Sequence, residues 1–128
     1  EQRLQALSLS SWYVYVLSSR SFSFCEPIAW GLTKGYDAND EAVRTWSYGY
    51  GFSYAFRRQA GLDFPYPNIN FGEDYQFIKL LQRHRGERHV GLLRDEFGIC
   101  LHVQHGKNTS DSIPLRVVTS EEAGRLDV

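Results

Sequence analysis

The sequence contains no methionine, and its first residue is Glu1. A nascent chain starts with methionine, so the expectation is a processed product or a piece of something longer. Cysteine is nearly absent too, with only Cys25 and Cys100, far apart. That spacing does not resemble a zinc site. Two such residues can pair in an oxidising compartment or stay as buried thiols, and free thiols are the expectation here. Long hydrophobic runs are missing. The longest, from Trp12 to Leu17, is far too short to span a membrane, so no transmembrane segment is expected. No signal peptide is visible and no feature points to a compartment. There is no excess of one charge either. A net charge of −1 argues against a nucleic-acid partner, which would need a basic surface. The basic run of Arg83, His84, Arg85, Arg88 and His89 reads as a solvated helix end. No glycine-rich phosphate loop is present.

What the chain does have is aromatic side chains, 15% of all residues and mostly before residue 78. Such a bias suits an aromatic-lined cleft or an interface with other protein chains, and equally a buried core. A length of 128 residues with 42% hydrophobic content fits a single globular domain over 1–128. Residues 1–10 read as a helix end or polar lead-in. Ser11–Leu17 and Ser21–Cys25 read as strands, the second stopped by Pro27. Ile28–Gly35 is ambiguous. Asp40 can cap a short helix through Thr45. Phe52–Phe56 reads as a strand, followed by a helical turn at Arg57–Ala60 that Gly61 would end. Pro65 and Pro67 make Leu62–Asn70 an irregular loop.

The clearest helix is Glu73–Arg85. Phe77, Ile78, Leu80 and Leu81 recur at helical spacing, Gly86 closes it, and Glu73 and Asp74 suit the positive end of its dipole. His89–Leu93 and Gly98–Val103 read as strands around a turn at Asp95 and Glu96, and Ser120–Leu126 as a last short helix. The fold class expected is mixed α/β, with a small mixed sheet and helices packed on it.

Three segments stand in order: WSYGYGFSYAFRR from Trp46 to Arg58, NFGEDYQF from Asn70 to Phe77, and HVQHGKNTS from His102 to Ser110. This order resembles the C-terminal, acceptor-side half of family 2 glycosyltransferases and related GT-A enzymes. The resemblance covers roughly residues 46 to 110. It implies an inverting transferase that takes a nucleotide-sugar donor and a glycan or other hydroxyl acceptor, with a divalent cation, manganese or magnesium, on the diphosphate. Asp74 matches the position of the base that removes the acceptor's proton, with Glu73 beside it to orient the acceptor. Trp46, Tyr48, Gly51, Phe52 and Arg58 match the acceptor-binding segment. His105 matches a residue that contacts the diphosphate or its metal ion, and Lys107 could neutralise phosphate.

Chemistry gives the acidic pair a rationale, because a carboxylate at a cleft mouth can act as a general base. A helix N-terminus would hold its pKa down and keep it a weak base, so positioning would have to supply much of the rate. The same pair could equally be a charge pair at a helix start with no catalytic duty. Trp46, Tyr48, Tyr50 and Phe52 alternate in period two and could present one aromatic face to a sugar, or pack in the core. His102 and His105 alternate poorly for one strand face and are not expected to act as paired ligands. Asn108-Thr109-Ser110 also fits the glycosylation pattern.

The sequence departs from that family in lacking the glycine-rich phosphate loop and the N-terminal half that would bind the nucleotide, and in its metal motif. No Asp-x-Asp metal motif occurs, and Asp37-Ala-Asn-Asp40 is an imperfect stand-in. An accessory or assembly subunit derived from a transferase fold is therefore a second expectation. A carbohydrate-binding module is a third.

Overall fold

A computed structural model describes residues 3–126. Its class is mixed α/β, as expected, but two small sheets take the place of one. The first holds strands β1 (Ala6–Leu9), β4 (Ala55–Phe56) and β5 (Val90–Leu93) in the order β4-β1-β5. β1 runs parallel to β5 and antiparallel to β4. The second holds β2 (Trp12–Val16), β3 (Ser21–Cys25), β6 (Leu101–Gln104) and β7 (Arg116–Val117) in the order β6-β2-β3-β7. Here β2 runs parallel to β6 and antiparallel to β3.

The sheets share a joint. β1 continues into β2 across Ser10 and Ser11, and β5 into β6 across residues 94–100, so a parallel pair leaves one sheet and re-forms in the other. Ser10 N–H donates to Leu93 O at 2.8 Å. The Ser11 hydroxyl donates to Asp95 O and accepts the Asp95 N–H. Asp95 is fully buried. Its carboxylate accepts backbone N–H groups of Phe97, Gly98 and Cys100 at 2.9 to 3.0 Å, which answers the cost of burying it.

Among the described residues, five α-helices complete the fold: α1 (Pro27–Thr33), α2 (Glu41–Tyr48), α3 (Arg58–Asp63), α4 (Glu73–Arg85) and α5 (Ser120–Ala123). α4 has the bounds its periodicity predicts. It buries Phe77, Ile78 and Leu81 against Ala6, Val90 and Ala60. Trp12, Val14 and Cys25 form a second core on one face of the other sheet, with Cys100 packed against it. Tyr13, Phe24 and Val118 form a third core on the opposite face. Both cysteines are free thiols, and burial pushes Cys25 up to about 12.

Several local expectations are corrected. Residues 6–9 are the central strand of the first sheet rather than a lead-in, while residues 1–2 of that stretch lie outside the described residues. α2 runs on to Tyr48. Gly61 lies inside α3 instead of ending it, and the expected strand over 52–56 shrinks to two residues behind a 3₁₀ turn at Gly51–Ser53. Ile28–Gly35, left ambiguous, is mostly α1, which Pro27 opens at a position where its missing N–H costs nothing.

Candidate functional site

The loop before α4 reaches the helix through Gly72, whose φ of 82° is left-handed and is open to glycine without strain. That turn sets Glu73 and Asp74 on the first turn of α4. Asp74 Oδ2 accepts the backbone N–H of Gly51 at 3.1 Å. A Cβ at Gly51 would overlap both carboxylate oxygens, so any larger residue there has to turn the Asp74 carboxylate away. The Gly51–Ser53 turn is tied to β1 in its own right. The Ser53 hydroxyl donates to Tyr50 O at 3.0 Å and accepts Leu9 N–H at 3.3 Å.

Burial raises the Asp74 pKa, the neighbouring Glu73 charge raises it a little more, and the Gly51 N–H only partly offsets the two. The helix terminus was expected to hold this group low, but desolvation wins. A raised carboxylate is the stronger base.

The residues after β6 form the facing wall. His105 N–H donates to Asn108 Oδ1 at 2.7 Å, and Asn108 Nδ2 lies 3.4 Å from both His102 Nε2 and Val103 O. Lys107 N–H donates to His105 Nδ1 at 3.3 Å. With Nδ1 in that contact, the His105 Nε2 has no hydrogen-bond partner among the described residues. Lys107 is exposed and has no ion-pair partner among the described residues. The His102 ring lies tilted against Phe52 with centroids 4.4 Å apart. Its Nδ1 lies 3.2 Å from Ser112 Oγ, which accepts the Trp12 indole N–H. Burial, followed by the nearby His105, lowers the His102 pKa.

Between these walls runs a groove of two lobes. One, of about 350 Å³, is lined by Gly51, Phe52, Asp74, His102, His105 and Lys107 among others. The other, of about 430 Å³, is lined by Trp46, Phe71, Glu73, Asp74, Asp111 and Ile113 among others. Gly49, Tyr50, Asp74, Thr109 and Ser110 border both lobes. The Tyr50 hydroxyl donates to Asp111 O at 2.9 Å, tying the two walls together.

Most of the residues singled out in the sequence therefore meet. Asp74, Glu73, Trp46, Gly51, Phe52, His105 and Lys107 all line the groove. Tyr48 and Arg58 do not line it. Tyr48 packs on the first core beneath the Arg44 guanidinium, and Arg58 opens α3, exposed. The period-two aromatic face does not form, because Trp46 and Tyr48 are helical and two helical positions lie about 200° apart. Trp46 instead meets Trp30 and Tyr36 edge-on at 5.2 and 5.5 Å. Phe71, Asp111 and His102 also line the groove, and the sequence offers no sign of them as site residues. His102 does line the same lobe as His105, with both ring nitrogens already near partners.

Among the described residues no three His, Cys, Asp or Glu side chains gather closely enough to hold an ion.

In comparisons with known proteins, no family model, no curated protein and no solved structure matches this chain.

Proposed function

We propose that the groove is the acceptor-side site of an inverting nucleotide-sugar glycosyltransferase, with Asp74 as its base. One observation carries this reading. Three segments far apart in sequence converge on one groove, with a half-buried carboxylate of raised pKa on the wall common to both lobes. In the reaction, the acceptor oxygen bonds to C1 of the donor sugar and gives its proton to Asp74, while the bond from C1 to the nucleoside diphosphate breaks. Asp74 Oδ2 is held by Gly51, which leaves Oδ1 for the proton. Lys107 and the His105 imidazole line the other lobe and would counter the charge of the departing diphosphate. The resemblance implies manganese or magnesium as well, but proton removal and anion binding here are derived from side chains alone.

Calorimetric titration with nucleoside diphosphates tests the reading, with and without manganese, on the chain alone and with any co-purifying chain. Binding that Lys107→Ala weakens supports it. Absence of binding in every combination overturns it in favour of the second reading, an accessory or assembly subunit. That second reading draws on one specific feature, an apolar surface at the outer edge of the second sheet. Phe97 is 72% exposed and Ile99 64%, with Leu101 and Val103 exposed beside them on edge strand β6. A partner chain would cover such a row. A clean monomer in sedimentation would count against it.

A further inference from the structure

The two lobes differ in charge. Three carboxylates line the Trp46 lobe, those of Glu73, Asp74 and Asp111, and no Lys, Arg or His does. His102, His105 and Lys107 line the other lobe. The groove is thus bipolar, with Asp74 at the point where the sign changes, and a substrate with one anionic end can lie along it in only one direction. The negative lobe is also a true concavity rather than a charged surface. Trp46, Phe71 and Ile113 give it apolar walls, and Phe71 presents a ring that is 72% exposed. Aromatic faces carry negative electrostatic potential and attract cations, so rings and carboxylates act with the same sign there. The field extends beyond the lining. Burial, then Asp74 and Glu73, push Tyr66 up to about 12.

Resting on the reading of this groove as an acceptor site, we infer that the Trp46 lobe selects hydroxyl acceptors that carry positive charge and an apolar face, such as amino sugars with free amines, and turns acidic glycans away. The sugar's C–H face would stack on Phe71 or Trp46, and its ammonium would lie toward Glu73 and Asp111. Both carboxylates are partly open to water, which screens them. The expected preference is therefore modest, about tenfold.

Titration of Trp fluorescence tests this with three probes of equal length: a glucosamine oligomer, its N-acetylated counterpart and a uronic acid oligomer. The glucosamine oligomer should bind about tenfold more tightly than the neutral one, and the acidic oligomer most weakly. The spread should collapse at high salt and in the Glu73→Gln, Asp111→Asn double variant. Equal affinity for all three overturns the inference, as does an order that survives the double variant, or no binding of any oligomer. The nucleoside diphosphate titration reports on the other lobe. Lost oligomer selectivity with intact diphosphate binding overturns this inference alone, and lost diphosphate binding overturns the transferase reading.

Discussion

A methyl group at position 51 would overlap the Asp74 carboxylate. The carboxylate can escape only by rotating away from the Gly51 N–H. Gly51→Ala should therefore cost about 1 kcal/mol, the worth of that hydrogen bond, in urea unfolding, and abolish most transfer. Asp74→Asn should do something different. Because the folded protein raises the Asp74 pKa, its ionised form is disfavoured, and stability is lost as pH rises through that folded pKa. Asparagine removes the loss. The variant should melt above the parent at neutral pH, with the gap closing in acid, where the parent is protonated as well. Its transfer rate should fall by about 10²–10⁴. A melting series over pH, paired with a rate assay, checks both outcomes. Together they describe a residue kept at some expense to stability, which fits a working group better than a helix-start charge pair.

Among the elements, α2 and α4 are laced together by polar contacts. Glu41 accepts from Lys79 at 2.8 Å and from Tyr75 at 3.1 Å, and Arg44 donates to Gln82 at 3.0 Å. The Lys79 and Tyr75 hydrogen bonds lower the Glu41 pKa. The sign is then opposite to that of Asp74. The stabilisation is present above the ordinary carboxylate pKa and is lost as pH falls through the folded one. The melting temperature of Glu41→Gln should lie below the parent's at neutral pH and converge with it in acid.

The legibility of each element followed how local its causes are. α4 announced itself through Phe77, Ile78 and Leu81 at helical spacing and through Gly86, all within its own length. β1 gave no such sign. Its sequence, Ala-Leu-Ser-Leu, holds no aromatic or β-branched residue, and it is a strand because β5, more than eighty positions on, pairs with it. The stretch from Trp46 to Phe52 alternates in sequence, and that pattern suited a strand. Yet α2 extends through Tyr48 before the chain turns at Gly49, so the alternation falls across a helix end and sends Trp46 and Tyr48 to different surroundings.

On the scale of the whole molecule, the groove is made by loops that no periodicity describes. The order of the three segments brought Asp74, Gly51, His105 and Lys107 to attention. Phe71 and Asp111 carry no pattern of their own and enter only because the chain folds them in. Between the sheets, Asp95 is the tie on which the crossing depends. Asp95→Ala would orphan three buried or half-buried backbone N–H groups and should cost about 3 kcal/mol or more in chemical denaturation, far beyond a surface substitution.

That joint has a mechanical meaning. Asp74 rides on α4, which is anchored to the first sheet, whereas His105 and Lys107 follow β6 of the second. The groove's walls thus hang from different sheets, and the crossing at Ser10, Ser11 and Asp95 sets the spacing between them, with Tyr50 bound to Asp111 as a stay across the gap. The gauge of the groove is therefore set by residues that touch nothing inside it, and a defect at Asp95 should surface as weakened ligand grip even under conditions where the chain remains folded.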